Sequence, residues 1–354
     1  MSGKERVFAV LNFQEPDRIP MTDSPWGTSI ARWRREGMPE QPDPHTYFGI
    51  EFASIGSDTT FQFPAEVLED TDEYRIERNA QGAVARNWKT RTSTPEYLDF
   101  TIKTPEDWEE HKPRLAFTPD RVDLEACRQA VAQAQQTGRF LTFNGAYGYD
   151  KTQGIVGTER LLMAMADNPD WVADMFMTSA QMIVDAARYL IDNGVDFDGA
   201  FVYNDMGYRN ASMFSPDMYR RLQKPADRML YGFFHECGRK VLLHSCGCVR
   251  ELVPDLVDAG LDCLQPLEVK AGLDLVELKR NFGDKLALMG GIDVRAMAAE
   301  DPSAIEQEIA TKIPVAMKGG GYIYHSDHSV PDNISFDRYC YVLELVREYG
   351  TYGQ

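Results

Sequence analysis

The stretch Lys240-Val241-Leu242-Leu243-His244-Ser245-Cys246-Gly247-Cys248 decides the reading of the fold. Its apolar run is too short for a helix and suits a strand buried on both faces. Polar, chemically capable residues follow at once. A helix is expected over 249–259, stopped by Gly260, and a second short strand, Asp262-Cys263-Leu264, comes next. Strand, helix and strand at this spacing form a right-handed crossover with the two strands parallel.

The unit repeats in both directions. Upstream, helices are expected over 121–137, 169–193 and 215–238, with strands at Phe140-Leu141-Thr142-Phe143 and Gly199-Ala200-Phe201-Val202-Tyr203. Asn168-Pro169 before the long helix and Gly194 after it are matched boundary signals. Downstream, helices over 273–282, 302–317 and 336–349 alternate with Leu286-Ala287-Leu288-Met289 and Tyr322-Ile323-Tyr324. A barrel and a doubly wound sheet share this grammar, and the polar residues separate them. Asn144-Gly145-Ala146-Tyr147, Asn204-Asp205, His244-Ser245-Cys246, Gln265-Pro266-Leu267-Glu268, Gly290-Gly291-Ile292-Asp293 and His325-Ser326-Asp327-His328 each follow an expected strand. A barrel gathers its chemistry at one end of its strands in this way. No Gly-x-Gly-x-x-Gly fingerprint follows any strand to support a dinucleotide fold. The expectation is one α/β domain over 1–354, a (β/α)8 TIM barrel with irregular N-terminal segments and a hairpin-like insertion at 61–118.

Composition narrows the function. The 354 residues are 43% hydrophobic and 26% charged, with 37 Lys and Arg against 55 Asp and Glu, a formal charge of −18. That excess of negative charge disfavours nucleic acid as a partner. No uninterrupted apolar stretch is long enough to span a bilayer. Charge appears almost at once in Met1-Ser2-Gly3-Lys4-Glu5-Arg6, with no apolar signal core, so the expected location is the cytoplasm. Six cysteines in such a chain do not make a disulfide scaffold; one beside a histidine at a strand end points to metal or catalysis.

His244 and Cys246 are two apart at a strand end, so imidazole and thiol project to one side. Zinc takes nitrogen and thiolate ligands, and a catalytic site needs three protein ligands with one position open. A His-x-Cys pair alone falls short of a metal signature, because two ligands are too few. A third ligand is expected from another loop: His328 first, with His325, Glu268 and Cys248 in reserve. Asp205, Asp293 and Tyr203 are the candidate catalytic residues, since a carboxylate at a strand end can orient a ligand or move a proton. Asp is equally suited to capping the next helix, and for Asp293 the two readings balance. Tyr147, Tyr208, Trp26 and Asn144 are candidate substrate contacts, the aromatic ones as pocket walls.

Glu5-Arg6-Val7-Phe8-Ala9-Val10-Leu11, Pro16-Asp17-Arg18-Ile19-Pro20, Ser215-Pro216-Asp217-Met218-Tyr219, Leu243-His244-Ser245-Cys246-Gly247, Gly290-Gly291-Ile292-Asp293 and Gly319-Gly320-Gly321-Tyr322 resemble the uroporphyrinogen decarboxylase superfamily. The His-x-Cys turn is similar to its corrinoid-dependent methyltransferase branch. The porphyrin decarboxylases carry Arg-Gln-Ala-Gly-Arg near the N-terminus; here Arg34-Arg35-Glu36-Gly37-Met38 has methionine at the second arginine. The resemblance implies zinc held by the His-x-Cys pair and a later residue, often cysteine, whose place before Val330-Pro331 is taken here by His328. Imidazole in place of thiolate leaves the metal less negative and a better Lewis acid. That favours taking a methyl group from an O-methyl donor, a methoxylated aromatic first, and passing it to cob(I)alamin. The chain lacks the Asp-x-His-x-x-Gly pattern of corrinoid-binding domains, so the cobalamin is expected on a separate small corrinoid protein. A homodimer is compatible with this reading. Three alternatives stand beside it: a methyl-corrinoid:thiol methyltransferase, a metal-free decarboxylase relying on Asp205, and a non-catalytic module with a closed zinc site including Cys248.

Overall fold

A computed structural model describes residues 1–90 and 94–353. In chain order the strands are β1 (Phe52–Gly56), β2 (Glu66–Asp70), β3 (Tyr74–Arg78), β4 (Ala83–Trp88), β5 (Glu96–Phe100), β6 (Phe140–Ala146), β7 (Gly199–Tyr203), β8 (Lys240–His244), β9 (Cys263–Gln265), β10 (Ala287–Met289) and β11 (Tyr322–Ile323). β1 and β6 to β11 form one parallel sheet, each strand beside the next in that order. β2 to β5 form a separate antiparallel meander. The expected hairpin at 61–118 is thus a four-stranded sheet, set between β1 and the helix Leu124–Thr137.

Helices lie between the strands because local signals start and stop them. Asp123 caps Leu124–Thr137 by accepting from the Ala126 N–H, and Gly138 ends it in the left-handed conformation. Pro169 sits in the first turn of Pro169–Asp192, whose inner face buries Val172, Phe176, Ile183 and Leu190. The helix expected over 215–238 is interrupted: Pro216–Met218 leads into a π-helical turn at Tyr219–Gln223 before Lys224–Glu236. Pro225 explains the wider turn, since it has no N–H to give to the usual ladder.

Side chains alternate across the sheet, and the two faces bury different cores. Leu141, Phe143, Ala200, Val202, Val241, Leu243, Leu264 and Leu288 face the helices. Phe52, Phe140, Leu242, Cys263, Ala287, Met289 and Ile323 pack on the other, concave face. There the N-terminal helix Gly3–Leu11 plugs the sheet with Val7, Val10 and Leu11.

The parallel sheet is open between β11 and β1. A single bridge pairs Met21 with Tyr324. The Tyr324 N–H donates to Pro20 O at 2.9 Å, and the Glu51 N–H to Met21 O at 3.0 Å. Eight full strands were expected; seven strands and this bridge are present. Pro20 cannot donate to a ladder, and the extended run around it is too short to make one. No helix among the described residues is long and apolar enough to cross a membrane.

Candidate metal centre

Register and alternation bring the site together. Tyr203, His244 and Gln265 stand side by side, Tyr203 paired with His244 and His244 with Gln265. All three share the parity of Phe201 and Leu242, whose side chains pack on the concave face. Counting on by twos places Asp205 and Cys246 on that face too. The Cys246 Sγ lies 3.3 Å from His244 Nε2, and Asp205 Oδ1 lies 3.4 Å from the same nitrogen. One nitrogen, one sulfur and one carboxylate oxygen therefore fall within 4.8 Å of one another.

The turn that carries Cys246 is shaped by two glycines. Gly247 has φ +77°, and a Cβ there would run into the backbone of Gly207, as one on Gly207 would into Cys246 and Gly247. The two loops therefore press backbone on backbone. Asp205 accepts from the Cys246 N–H at 2.8 Å, and Glu268 accepts from the Gly247 N–H at 2.7 Å. Burial, then the negative charges of Asp205 and Glu268, push the Cys246 thiol up. A thiol beside two carboxylates needs either its proton or a cation, and a divalent ion would deprotonate it. The donor set suits zinc, which accepts all three atom types.

Asp150, two residues into the helix Gly148–Val156, adds a further acidic group. Its carboxyl is pushed up by burial first and by Asp205 second, with His244 acting in the opposite direction. A cavity of about 200 Å³ opens beside the cluster, walled by Phe201, Tyr203, Pro266, His325 and His328, and among the described residues no Lys or Arg lines it. A larger cleft of about 950 Å³ runs between β5 and the helix Thr158–Asp167, with Tyr97, Phe100 and Met163 in its walls. Asp150 lines this cleft, and its carboxyl feels the charges of Asp205 and His244 in the cluster.

The residues expected from sequence divide accordingly. His244, Cys246 and Asp205 converge, Asp205 as a member of the donor group. His328, expected as the third ligand, lines the same cavity but is not in that group; its ring lies T-shaped to that of Trp26, the centroids 6.3 Å apart. Tyr203 lies 5.3 Å from the His244 ring and accepts from Asn144 Nδ2 at 3.1 Å. His325 is buried at the cavity wall. Glu268 is engaged by Gly247 and by Lys270 at 2.8 Å, and so holds the turn. Cys248 is buried, its backbone paired with Tyr208, which is itself exposed. Asp293 caps Val294–Met297 and pairs with Arg295 at 2.7 Å, the capping role weighed against catalysis. Tyr147 is fully buried, its hydroxyl donating to Asp227 at 2.9 Å and lying 3.0 Å from that of Tyr231. One residue past β6, it has the wrong parity for the concave face. Gln265 and Asp150 were not singled out from sequence. Register beside His244 could have found Gln265; nothing in the sequence flags Asp150.

The family model described as uroporphyrinogen decarboxylase (URO-D) matches residues 122–349. Over 61 residues, the chain is 33% identical to the uroporphyrinogen decarboxylase of Pectobacterium carotovorum subsp. carotovorum (strain PC1), covering 17% of each. Over 62 residues it is 34% identical to that of Proteus mirabilis (strain HI4320), covering 18% of this chain and 17% of the relative. The chain thus aligns with 17% of the length of these curated relatives. Among solved structures it is similar to a methyltransferase from Methanosarcina mazei, with a TM-score of 0.69 at 14% identity over 99% of both chains. That likeness is one of fold.

Proposed function

Because the chain belongs to the uroporphyrinogen decarboxylase family, we propose that it is the member that moves a methyl group from an O-methyl donor to the cob(I)alamin of a separate corrinoid protein, with zinc held by His244, Cys246 and Asp205. The observation that carries this reading is the convergence of those three donors beside a cavity that His244 and Cys246 help to line and that no Lys or Arg among the described residues lines. A porphyrin bearing several carboxylates, or a sulfonated thiol, would need cationic partners there. A neutral methoxyarene needs aromatic walls and room for one oxygen at the metal, and Phe201 and Tyr203 supply such walls. The full-length fold likeness to a methyltransferase supports the same class of reaction.

Asp205 in the donor set revises the charge argument. One thiolate and one carboxylate neutralise a divalent ion, whereas His328 in that place would leave a net positive charge. The preference for an ether oxygen therefore rests on the lining of the cavity more than on ligand charge. Zinc bound here would supply Lewis acidity toward the donor's oxygen. The chain's own residues position the donor: Tyr203 and Phe201 flank it, and His328 faces it across the cavity.

The test pairs metal analysis with methyl transfer. The purified protein should carry about one zinc per chain and pass methyl groups from a panel of methoxyarenes to a corrinoid protein. Transfer only to thiol acceptors, or transfer unaffected by removing the metal, would overturn the proposal.

A further inference from the structure

A ligand histidine must present a bare nitrogen to a metal, and its other nitrogen must carry the proton. In His244 the nitrogen that faces Cys246 and Asp205 is Nε2. Its Nδ1 meets Gln265 Oε1. If Gln265 presents its oxygen there, Nδ1 carries the hydrogen and Nε2 is free. Were the amide turned over, its NH2 would face Nδ1, the proton would sit on Nε2, and the metal-facing nitrogen would be blocked.

What orients the amide lies one step further out. Gln265 Nε2 is 3.3 Å from His325 Nε2. His325 Nδ1 is 2.6 Å from the carbonyl oxygen of Ser326 and 3.7 Å from Asp23 Oδ1. Both neighbours are acceptors, so the hydrogen of a neutral His325 ring belongs on Nδ1. Its Nε2 is then a lone pair facing two donors, the Gln265 amide and the Ser24 hydroxyl at 3.3 Å. Asp23 is fixed in turn by Tyr324 and Tyr339, at 3.2 and 3.1 Å, and by Ser326 Oγ at 2.5 Å. His325 and Asp23 are both almost fully buried, so water does not compete for these groups.

We propose that Gln265 and His325 are positioning residues that lock His244 in the tautomer with a bare Nε2. The order runs inward: Asp23 and the Ser326 carbonyl set His325, His325 sets the Gln265 amide, and Gln265 sets His244. The consequence for zinc rests on the metal reading of the site, but the tautomer can be read without any metal.

The test is nitrogen-detected NMR of the full-length, metal-free protein with 15N-labelled histidine, alongside zinc affinity by chelator competition. The parent should show His244 protonated on Nδ1. Gln265→Met removes the acceptor at similar volume; it should shift His244 to the Nε2-protonated form and weaken zinc binding roughly ten- to a hundredfold. Gln265→Glu retains an acceptor and should restore the parent tautomer. His325→Leu leaves Gln265 intact but frees its amide to turn, and should give a mixture of His244 tautomers. An unchanged His244 tautomer in both Gln265→Met and His325→Leu overturns the proposal, even if zinc affinity falls. So does a parent whose His244 carries no hydrogen on Nδ1. Absence of zinc binding with the tautomer pattern as expected would count against the metal reading and leave the lock standing.

Discussion

Removing a donor from the cluster of Asp205, His244 and Cys246 is expected to cost zinc binding before it costs the fold. His244 and Cys246 are half-buried at a strand end beside a cavity, so truncation opens space already continuous with that cavity. His244→Ala or Cys246→Ala should leave less than a tenth of the zinc with little change in circular dichroism, and full occupancy in either would remove both from the ligand set. Asp205 and His328 are separable in the same way. Asp205→Ala should lower zinc affinity at least tenfold, while His328→Ala should keep the metal and lower methyl transfer. The reverse pattern in metal analysis would return the third ligand to His328. Asp205, expected as a proton-handling residue, joins the donor group instead, and the reason is spatial. Its oxygen accepts the Cys246 N–H, which draws it to the same turn.

At the scale of elements, the contact between the loops after β7 and β8 is what holds Cys246 in place. Gly247→Ala would place a Cβ against Gly207 in a left-handed backbone conformation. The strain alone costs about 1–3 kcal/mol, and relieving it moves the thiol. Calorimetry should show that loss of stability, and zinc binding should weaken with it. A second junction lies outside the sheet, where Asp227 accepts from Tyr147, from Gln223 at 2.7 Å and from Tyr219 at 2.5 Å. Burial raises the Asp227 carboxyl from 3.8 to about 6 despite those donors. The folded protein therefore binds the extra proton between those values. Its stabilising effect is complete below about pH 4 and is lost as pH rises to about 6, on the order of 3 kcal/mol. Asp227→Asn cannot titrate, so the parent's stability relative to this variant should fall across that window and then level off. A flat difference from pH 4 to pH 7 would show that the carboxyl is not shifted.

On the scale of the whole molecule, closure of the sheet's gap depends on the N-terminal segment. Glu51, just before β1, pairs with Arg6 at 2.7 Å and Arg18 at 3.0 Å, and accepts from the Met21 N–H at 2.7 Å. One buried carboxylate thus ties the plug helix, the bridge segment and the first strand together. Glu51→Ala strands the Met21 N–H and takes a carboxylate from Arg18 and Arg6, the latter still held by Asp17 at 2.6 Å, and should cost about 1–3 kcal/mol. Chemical denaturation would measure it, and a loss below about 1 kcal/mol would mean the bridge is held by packing alone. Trp33 reinforces the same seam, stacked on Tyr339 at 4.6 Å. The segment that reads as irregular in sequence is therefore integral to the sheet.

The strand-helix alternation from β6 to β11, the parallel sheet and the side on which polar residues collect were all legible in the sequence, because each is written in local periodicity and in glycine and proline boundaries. The His-x-Cys pair was legible for the same reason, as residues two apart at a strand end face one way. Other features depended on contacts distant in the chain. β1 is a brief run whose burial does not alternate cleanly, and the outer strands of the meander, β2 and β5, are mostly exposed, so neither has a strong hydrophobic pattern. Asp205 and Gln265 join His244 through strand register, Asp150 through the packing of a helix after β6, and Tyr147 is turned out of the cavity by one residue of parity. Strand pairing brings together residues tens of positions apart, and only the tertiary structure decides which of them meet.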